Sequence, residues 1–470
     1  MVNLKPYIDS LTKKKTLVYG LGKSGLSAVK ALSKTDAVIV VGDDNPEKLQ
    51  PASAKKTRIL DEERQDFSEF AFVLLAPGIP LSHPEPHRIV KAARGAGTEV
   101  IGDIELFYRA GKTGKTIGVT GTNGKSTTVS LIHHVIKTCG KKTVLGGNIG
   151  LPVLDLKVSG GECYTVLEMS SYQIDLCPTF RPDISVLINI TADHIDRHGG
   201  VEAYASVKQK LVDEGQSGYG GGSAVICVDD EYTRRIFEAV SENGLRKAVP
   251  VSVLRKVEGG AYLDDEGMIV DAISETPVTV GDIDELKTLR GDHNHQNVLC
   301  SYAVARIIGL PPEDIFEAMK SFEGLQHRQF LVRTINGVSY VNDSKATNAE
   351  AAAMALNSHN NIYWIVGGRK KETGLSGLEI FAERIRHAFL IGEAAPEFAV
   401  WMDKFGISYT DCETMSKALE AAHAMAQENR GQPGGAGVVL LSPACASYDQ
   451  FTSFEDRGEK FIRRVGKLKE

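Results

Sequence analysis

Three times along this chain, short apolar runs ending in glycine or an acidic residue give way to stretches with apolar residues at helical spacing. The first instance is KKKTLVYGLGKSGLSAVKALSK, a buried-strand pattern, a glycine turn at Gly20 to Gly25 and a helix pattern. The runs TLVYG, AVIVVGD, FAFVLLAPG and TEVIGD continue it to about residue 102. Such alternation predicts a parallel sheet with helices packed against it, and ligands then gather at the carboxyl ends of the strands. The pattern restarts at KTIGVTGTNGKSTTVSLIHHVI, with strands YTVLEMS, ISVLINIT and SAVICVD, the hairpin-like GGAYLDDEGMIVDA and two helices separated at Pro311-Pro312. It restarts again near Gly324, where Asn336-Gly337 signals a two-residue hairpin ahead of NIYWIVGG, HAFLIG and GVVLLSPA.

At 470 residues the chain exceeds one compact core, and about 150 residues per domain suggests roughly three. The expected fold is α/β in three domains: a Rossmann-like domain over 1–102, a central P-loop-type ATPase domain over 103–324, and a Rossmann-like α/β domain over 325–470. A formal charge of −6 without long like-charge blocks leaves no footprint for nucleic acid. Seven cysteines without a Cys-x-x-Cys pair argue against a disulfide framework and fit a reducing cytoplasm. No run reaches the ~18 apolar residues of a membrane span, so a cytoplasmic protein is expected.

GLGKSG between strand and helix, with Asp43 roughly 20 residues on, meets the local conditions for a dinucleotide. A NAD-dependent oxidoreductase is therefore one reading. TGTNGKSTT, Thr120 to Thr128, is the stronger signal. A helix N-terminus offers unpaired N–H groups, glycines let the backbone approach, and a lysine reaches the outer phosphates. Gly121, Thr122, Asn123, Gly124, Lys125, Ser126 and Thr127 thus form a candidate cradle for ATP. Val119 stands where ordinary P-loops carry their first glycine, which separates this loop from common GTPases and kinases. Glu168 ends the strand YTVL and is a candidate Mg²⁺ ligand with Ser126. NITADHIDRHG places His194 at the end of another strand, facing the same cleft. A zinc site from His194 and His198 is a weak reading, because no third soft ligand accompanies them. In VNDSKATN, Asp343 or Ser344 reads as a helix N-cap, which puts Lys345 in the first turn against the dipole unless an anion binds there.

Taken in order, TGTNGKST, LEMSS, DHIDRH, HNHQN, HRQF and NDSKATN resemble the Mur ligases, ATP-dependent amide-forming enzymes of peptidoglycan precursor synthesis. The likeness covers nearly the whole chain. GLGKSGLS, APGIP and SPACASYDQFTSFEDRG look like the branch that adds D-glutamate to UDP-N-acetylmuramoyl-L-alanine. This implies attack of the substrate carboxylate on the ATP γ-phosphate, then displacement of phosphate from the acyl phosphate by the amine of D-glutamate. It further implies that Lys125 and Ser126 hold triphosphate and Mg²⁺, with Glu168 and His194 completing the metal environment. Lys208 matches the family's carbamylated lysine, a second metal ligand and catalytic group; on residue pattern alone it reads as a solvated helix lysine, with Lys210 close by. Asn294 and Asn297 would meet the adenine, and Arg328, Asp343 and Lys345 would reach the nucleotide. Thr347, Lys371, Ser447 and Phe454 would bind D-glutamate, with Lys370 open as an alternative to Lys371. Lys23, Ser24, Asp43 and Gly78 would contact the UDP moiety, and Asn148 would line the substrate's path. A monomer is expected.

The rivals are sister ligases adding another amino acid or dipeptide, folylpolyglutamate synthetases, a non-catalytic nucleotide switch and the oxidoreductase. The last leaves the triphosphate loop and NDSKATN unused.

Overall fold

The computed structural model describes residues 2–49, 57–111, 114–158, 161–192, 195–213, 221–289, 291–370, 374–432 and 436–469. The chain forms two compact units, Met1–Phe322 and Glu323–Glu470. The first carries two sheets and the second carries one.

The first sheet comprises β1 (Lys15–Tyr19), β2 (Val38–Gly42), β3 (Thr57–Ile59), β4 (Phe70–Leu75) and β5 (Val100–Ile101) in the order β3-β2-β1-β4-β5, all parallel. This is the Rossmann-like order expected, and its direction reverses beside β1, so the crevice opens at the ends of β1 and β4. Gly20 (φ +92) turns the chain there into the helix Lys23–Leu32. A Cβ on Gly25 would stand 2.0 Å from the Gly20 carbonyl oxygen, so helix and turn meet backbone to backbone.

The second sheet runs β14-β13-β12-β11-β10-β9-β6-β8-β7. Its strands are β6 (Lys115–Thr120), β7 (Thr143–Gly147), β8 (Tyr164–Glu168), β9 (Ile184–Leu187), β10 (Ser223–Cys227), β11 (Lys247–Ser252), β12 (Ala261–Leu263), β13 (Met268–Asp271) and β14 (Val278–Asp282). β13 and β14 join by antiparallel pairing and the others are parallel. β6 lies between β8 and β9, with Val119 level with Glu168 and Thr120 level with Leu187. The loop leaving β6 therefore rises between the ends of two neighbouring strands. The helix Lys125–Thr138 that follows buries Val129, Leu131, Ile132, Val135 and Ile136, and shares a core with Val298, Leu299 and Tyr302 of the helix Asp292–Ile307. Each such aliphatic side chain contributes about 1.5–3 kcal/mol when fully buried, which fixes the loop's downstream end.

In the second unit, β15 (Phe330–Ile335), β16 (Val338–Asn342), β17 (Ile362–Gly367), β18 (Ile385–Ile391), β19 (Tyr409–Glu413) and β20 (Val438–Leu441) lie in the order β15-β16-β20-β17-β18-β19. Only the β15–β16 pair is antiparallel among these described strands. Its turn has Asn336 and Gly337 both left-handed (φ +49 and +85), the hairpin geometry that Asn-Gly signals.

Substituting Gly25→Ala should destabilise the first unit by about 3 kcal/mol through the clash with the Gly20 carbonyl, seen as an earlier melting transition. Gly22, with open space around it, should accept alanine at a cost below about 1 kcal/mol.

Candidate active site

The helix Lys125–Thr138 starts at Gly124, which is left-handed (φ +82) and supplies no side-chain cap. Its first turn therefore presents N–H groups and the positive dipole end at the mouth of the loop. The loop is tied to the end of β9: Thr122 N–H donates to the Asn189 carbonyl (2.9 Å), Thr191 N–H to Thr122 Oγ1 (3.0 Å) and Asn123 N–H to Asn189 Oδ1 (2.9 Å). Lys125 folds inward, donating to the Gly121 (2.9 Å) and Thr122 (2.7 Å) carbonyls. Lys208, on the helix Val201–Val212, donates to the same Gly121 carbonyl (2.9 Å) and to Thr120 Oγ1 (3.2 Å), with its Nζ 4.6 Å from the centre of the Tyr204 ring. At 1 % exposure Lys208 is not the solvated lysine that residue pattern alone suggests. Lys210 is the exposed one, paired with Asp175 at 2.7 Å.

Glu168 is buried at the end of β8. Its Oε1 accepts from Asn148 Nδ2 (2.8 Å), while its buried Oε2 has no hydrogen-bond partner among the described residues. An orphaned carboxylate oxygen costs several kcal/mol unless a cation or donor meets it. It is a hard oxygen ligand, and with the buried Ser126 the donor set fits Mg²⁺. Asp193 and His194 lie outside the described residues. His198 is buried, within 2.9 Å of Ser171 Oγ and stacked on Tyr172, so packing accounts for its half of the histidine pair. Thr127 is half-buried in the first turn of the helix.

Asn297 sits beneath the loop rather than free at a base edge. Its Oδ1 accepts from Thr128 Oγ1 (3.1 Å), its Nδ2 donates to Asn294 Oδ1 (3.1 Å), and a Cβ on Gly124 would lie 2.1 Å from that Oδ1. The left-handed glycine and the buried amide are one contact.

At the first sheet, Lys23 is exposed at the helix start. Ser24 hydrogen-bonds the buried carboxyl of Asp103, whose pKa burial raises. Asp43 Oδ2 accepts from Leu21 N–H (2.6 Å) and Oδ1 from Asn45 N–H (2.9 Å), so its charge is spent on shaping the glycine turn. The Gly78 carbonyl accepts from Arg197 Nη1 (2.9 Å), and that guanidinium lies 4.6 Å from the centre of the Tyr172 ring. Arg197 and Asn189 escape the sequence reading: Arg197 lies within DHIDRH and Asn189 four residues before it, so the segment NITADHIDRH carries both.

In the second unit, Asn348 caps the helix Ala349–Ser358 by accepting from Ala351 N–H (2.9 Å). Asp343 and Ser344 therefore are not the caps, and Lys345 is not in a helical turn. The chain needs residues 343–347 to leave β16 before it can wind. Asp343 is buried, accepting from Ser442 Oγ (2.7 Å) and Gln329 N–H (3.1 Å). Burial pushes its pKa up to about 7, against the pull of those donors and of Arg328 and Arg457. Lys345 is exposed, its Nζ 4.0 Å from the centre of the Phe454 ring. Ser447 is buried, and its carbonyl accepts from Phe451 N–H (2.9 Å). Thr347 is half-buried just before the cap. Lys371 lies outside the described residues, and Lys370 is paired with Glu397.

A glycine-turned helix N-terminus at the reversal point of a parallel sheet, with an inward lysine and a strand-end carboxylate, defines the class of P-loop-type nucleotide-binding α/β proteins. Within that class the chain belongs to the Mur ligase family. Residues 119–305 match the Mur ligase middle domain and residues 14–102 the Mur ligase MurD-like N-terminal domain. The chain is 43 % identical over 465 residues to the UDP-N-acetylmuramoylalanine–D-glutamate ligase of Agrobacterium fabrum, covering 98 % of this chain and 97 % of that one. It is 42 % identical to the Caulobacter vibrioides ligase of the same name, covering 97 % and 96 %. Among solved structures it is similar in fold to the Thermotoga maritima MurF ligase in complex with ADP (TM-score 0.55, 19 % identity, 99 % and 97 % covered). The Thermotoga maritima UDP-N-acetylmuramate–alanine ligase MurC is similar to the same degree (TM-score 0.56, 15 % identity, 97 % and 100 % covered).

A carboxyl whose folded pKa lies above its unfolded value takes stability away as pH rises between the two. For Asp343 that window runs from its ordinary 3.8 to about 7, a cost of about 4 kcal/mol at pH 8. Asp343→Asn should therefore raise the second unit's melting temperature at pH 8, with the gain shrinking as pH falls towards 4.

Proposed function

We propose that this chain adds D-glutamate to UDP-N-acetylmuramoyl-L-alanine with ATP, in peptidoglycan precursor synthesis in the cytoplasm, acting as a monomer. The observation that carries the reading is 42–43 % identity along 96–98 % of both chains to ligases bearing that name. The likeness to MurC and MurF, at 15–19 % identity, bears on fold alone, so it does not favour a sister amino acid. Asp43, engaged by the Leu21 N–H, weighs against a NAD ribose and for a turn shaped to hold a diphosphate.

In this reading the chain works as 1–102 for the UDP substrate, 103–324 for ATP and 325–470 for the amino acid. Lys125, the loop amides of 121–124 and Thr127 hold the triphosphate. Glu168, Ser126, His194 and a carbamylated Lys208 would hold Mg²⁺, which when bound screens the phosphate charge. Converting Lys208 from a cation to a carbamate anion removes its repulsion of a metal. Asn294 is left to approach the adenine, with Asn297 holding it and the loop in register. Arg328, Asp343 and Lys345 engage the nucleotide, while Lys23, Ser24, Asp43, Gly78 and Asn148 position the UDP substrate.

Alignment of the substrate carboxylate with the γ-phosphorus breaks the bond to ADP and gives an acyl phosphate. The D-glutamate amine, directed by Thr347, Lys371, Ser447 and Phe454, then displaces phosphate. Binding two carboxylates and an amine in one orientation supplies proximity, which is where the rate is gained.

Phosphate release from ATP should require UDP-N-acetylmuramoyl-L-alanine, D-glutamate and Mg²⁺ together; equal release with L-glutamate or L-alanine would overturn the specificity. Lys125→Ala should lower turnover at least about 100-fold, and near-normal turnover would remove it from the phosphate site. Lys208→Ala should lose activity and regain part of it with added short carboxylic acids, whereas an unimpaired variant would exclude Lys208.

A further inference from the structure

The second unit makes two unfavourable backbone choices at a single contact. His327 is left-handed (φ +66), a conformation that an L-residue adopts at a cost of about 1 kcal/mol or more. Gly458 lies inside the helix Phe454–Val465, where glycine costs about 1 kcal/mol relative to alanine. Each explains the other. A Cβ on Gly458 would lie 2.1 Å from His327 Nδ1 and 2.8 Å from its Cγ and Cε1, so the missing side chain is the notch that holds the imidazole. Local rules broken together at one place mark a site under a further constraint.

The buried Asn342 closes the notch. Its Oδ1 accepts from Ser344 N–H (3.1 Å), which fixes Nδ2 as the donor to both the Gly458 carbonyl (3.1 Å) and His327 Nδ1 (2.9 Å). His327 is thus an acceptor at Nδ1 and carries its proton on Nε2. From this point the backbone fans out. The His327 carbonyl accepts from Lys345 N–H (2.9 Å), and Gln329 N–H, on the next left-handed residue (φ +41), donates to Asp343 Oδ1 (3.1 Å). The segment 327–329 and the loop 342–345 are stitched together by these bonds, and Arg328, Asp343 and Lys345 all hang from the stitching.

We propose that His327, seated in the Gly458 notch, is a positioning residue that sets Arg328, Asp343 and Lys345 for the nucleotide. This rests on the ligase reading above, in which those three residues serve ATP. Neither His327 nor Gly458 touches the nucleotide itself; both act through the 342–345 loop.

The test is a double-mutant cycle on the full-length protein, with KM for ATP, KM for the UDP substrate and kcat measured by phosphate release. Gly458→Ala and His327→Ala should each raise KM for ATP at least tenfold, with KM for the UDP substrate within twofold of the original. The double variant should match the worse single rather than their product, because both lose one contact. His327→Asn, which keeps an acceptor at the δ position for Asn342, should stay within threefold of the original. Multiplying effects, equal losses for both substrates, or an unimpaired His327→Ala would overturn the proposal. Should Gly458→Ala fail to fold, the contrast between His327→Ala and His327→Asn decides it. An unsubstituted protein inactive with D-glutamate overturns the ligase reading instead.

Discussion

Everything at the phosphate loop turns on the Gly121 carbonyl oxygen, which accepts from Lys125 and Lys208 at 2.9 Å each. Two ammonium groups sharing one acceptor lie no farther apart than twice that distance. At about 5 Å and an effective dielectric constant near 20, their repulsion is about 3 kcal/mol. Glu168, at the neighbouring strand end, has a hydrogen bond to one oxygen among the described residues, from Asn148. In the ligase reading proposed above, an anion would lie beside the lysines and a cation at the carboxylate. A triphosphate with its metal would supply both at once. Conversion of Lys208 to an anion would relieve the same repulsion from within.

The first unit uses strand, glycine turn and helix twice, for opposite ends. After β1 the lysine of the turn, Lys23, points to solvent and Asp43 is tied to the turn's own backbone. After β6 the lysine folds inward and the buttress is a neutral amide, Asn297. The first arrangement leaves the cation exposed at the crevice, where the proposed diphosphate would meet it. The second encloses the charge, where the same Coulomb interactions are stronger because less water screens them.

Local pattern made much of this legible. The strand-end glycines, the Asn336-Gly337 hairpin and the Pro311-Pro312 break all depend on neighbours in sequence, and the structure has them as read. β11 escapes the pattern because Pro250 sits within it, and β14 because its residues stay largely exposed at the sheet edge. The pattern offers Asp343 or Ser344 as the N-cap, ahead of the true cap Asn348, since each is chemically as good a cap. Only burial against Ser442 and Gln329, contacts from distant segments, decides between them. Lys208 and Asn297 illustrate the same limit. Lys208 reads as a solvated helix lysine and Asn297 as a contact for the adenine, yet both are buried because a loop about 90 or 170 positions earlier rests on them.

The second unit buries Arg457 and Asp343 against neutral hydrogen-bond partners. Arg457, 1 % exposed, donates to Ser344 Oγ and to the Ser344 and Cys445 carbonyls, all neutral, and burial pulls its pKa down to about 10. Asp343 accepts from the Ser442 hydroxyl and the Gln329 amide. If stability alone shaped this unit, a neutral pair would hold the same loops at lower cost, as buried ion pairs commonly yield to apolar or neutral replacements without loss. Arg457 clamps 344 against 445, and His327 with Asn342 clamps 327 against 458, so the loop 342–345 is fixed from two sides. A rigid loop preserves an ionisable carboxyl in a dry setting, where it interacts strongly with whatever charge approaches. The several kcal/mol forgone in stability are thus the cost of keeping Asp343 and its neighbours preorganised rather than solvated.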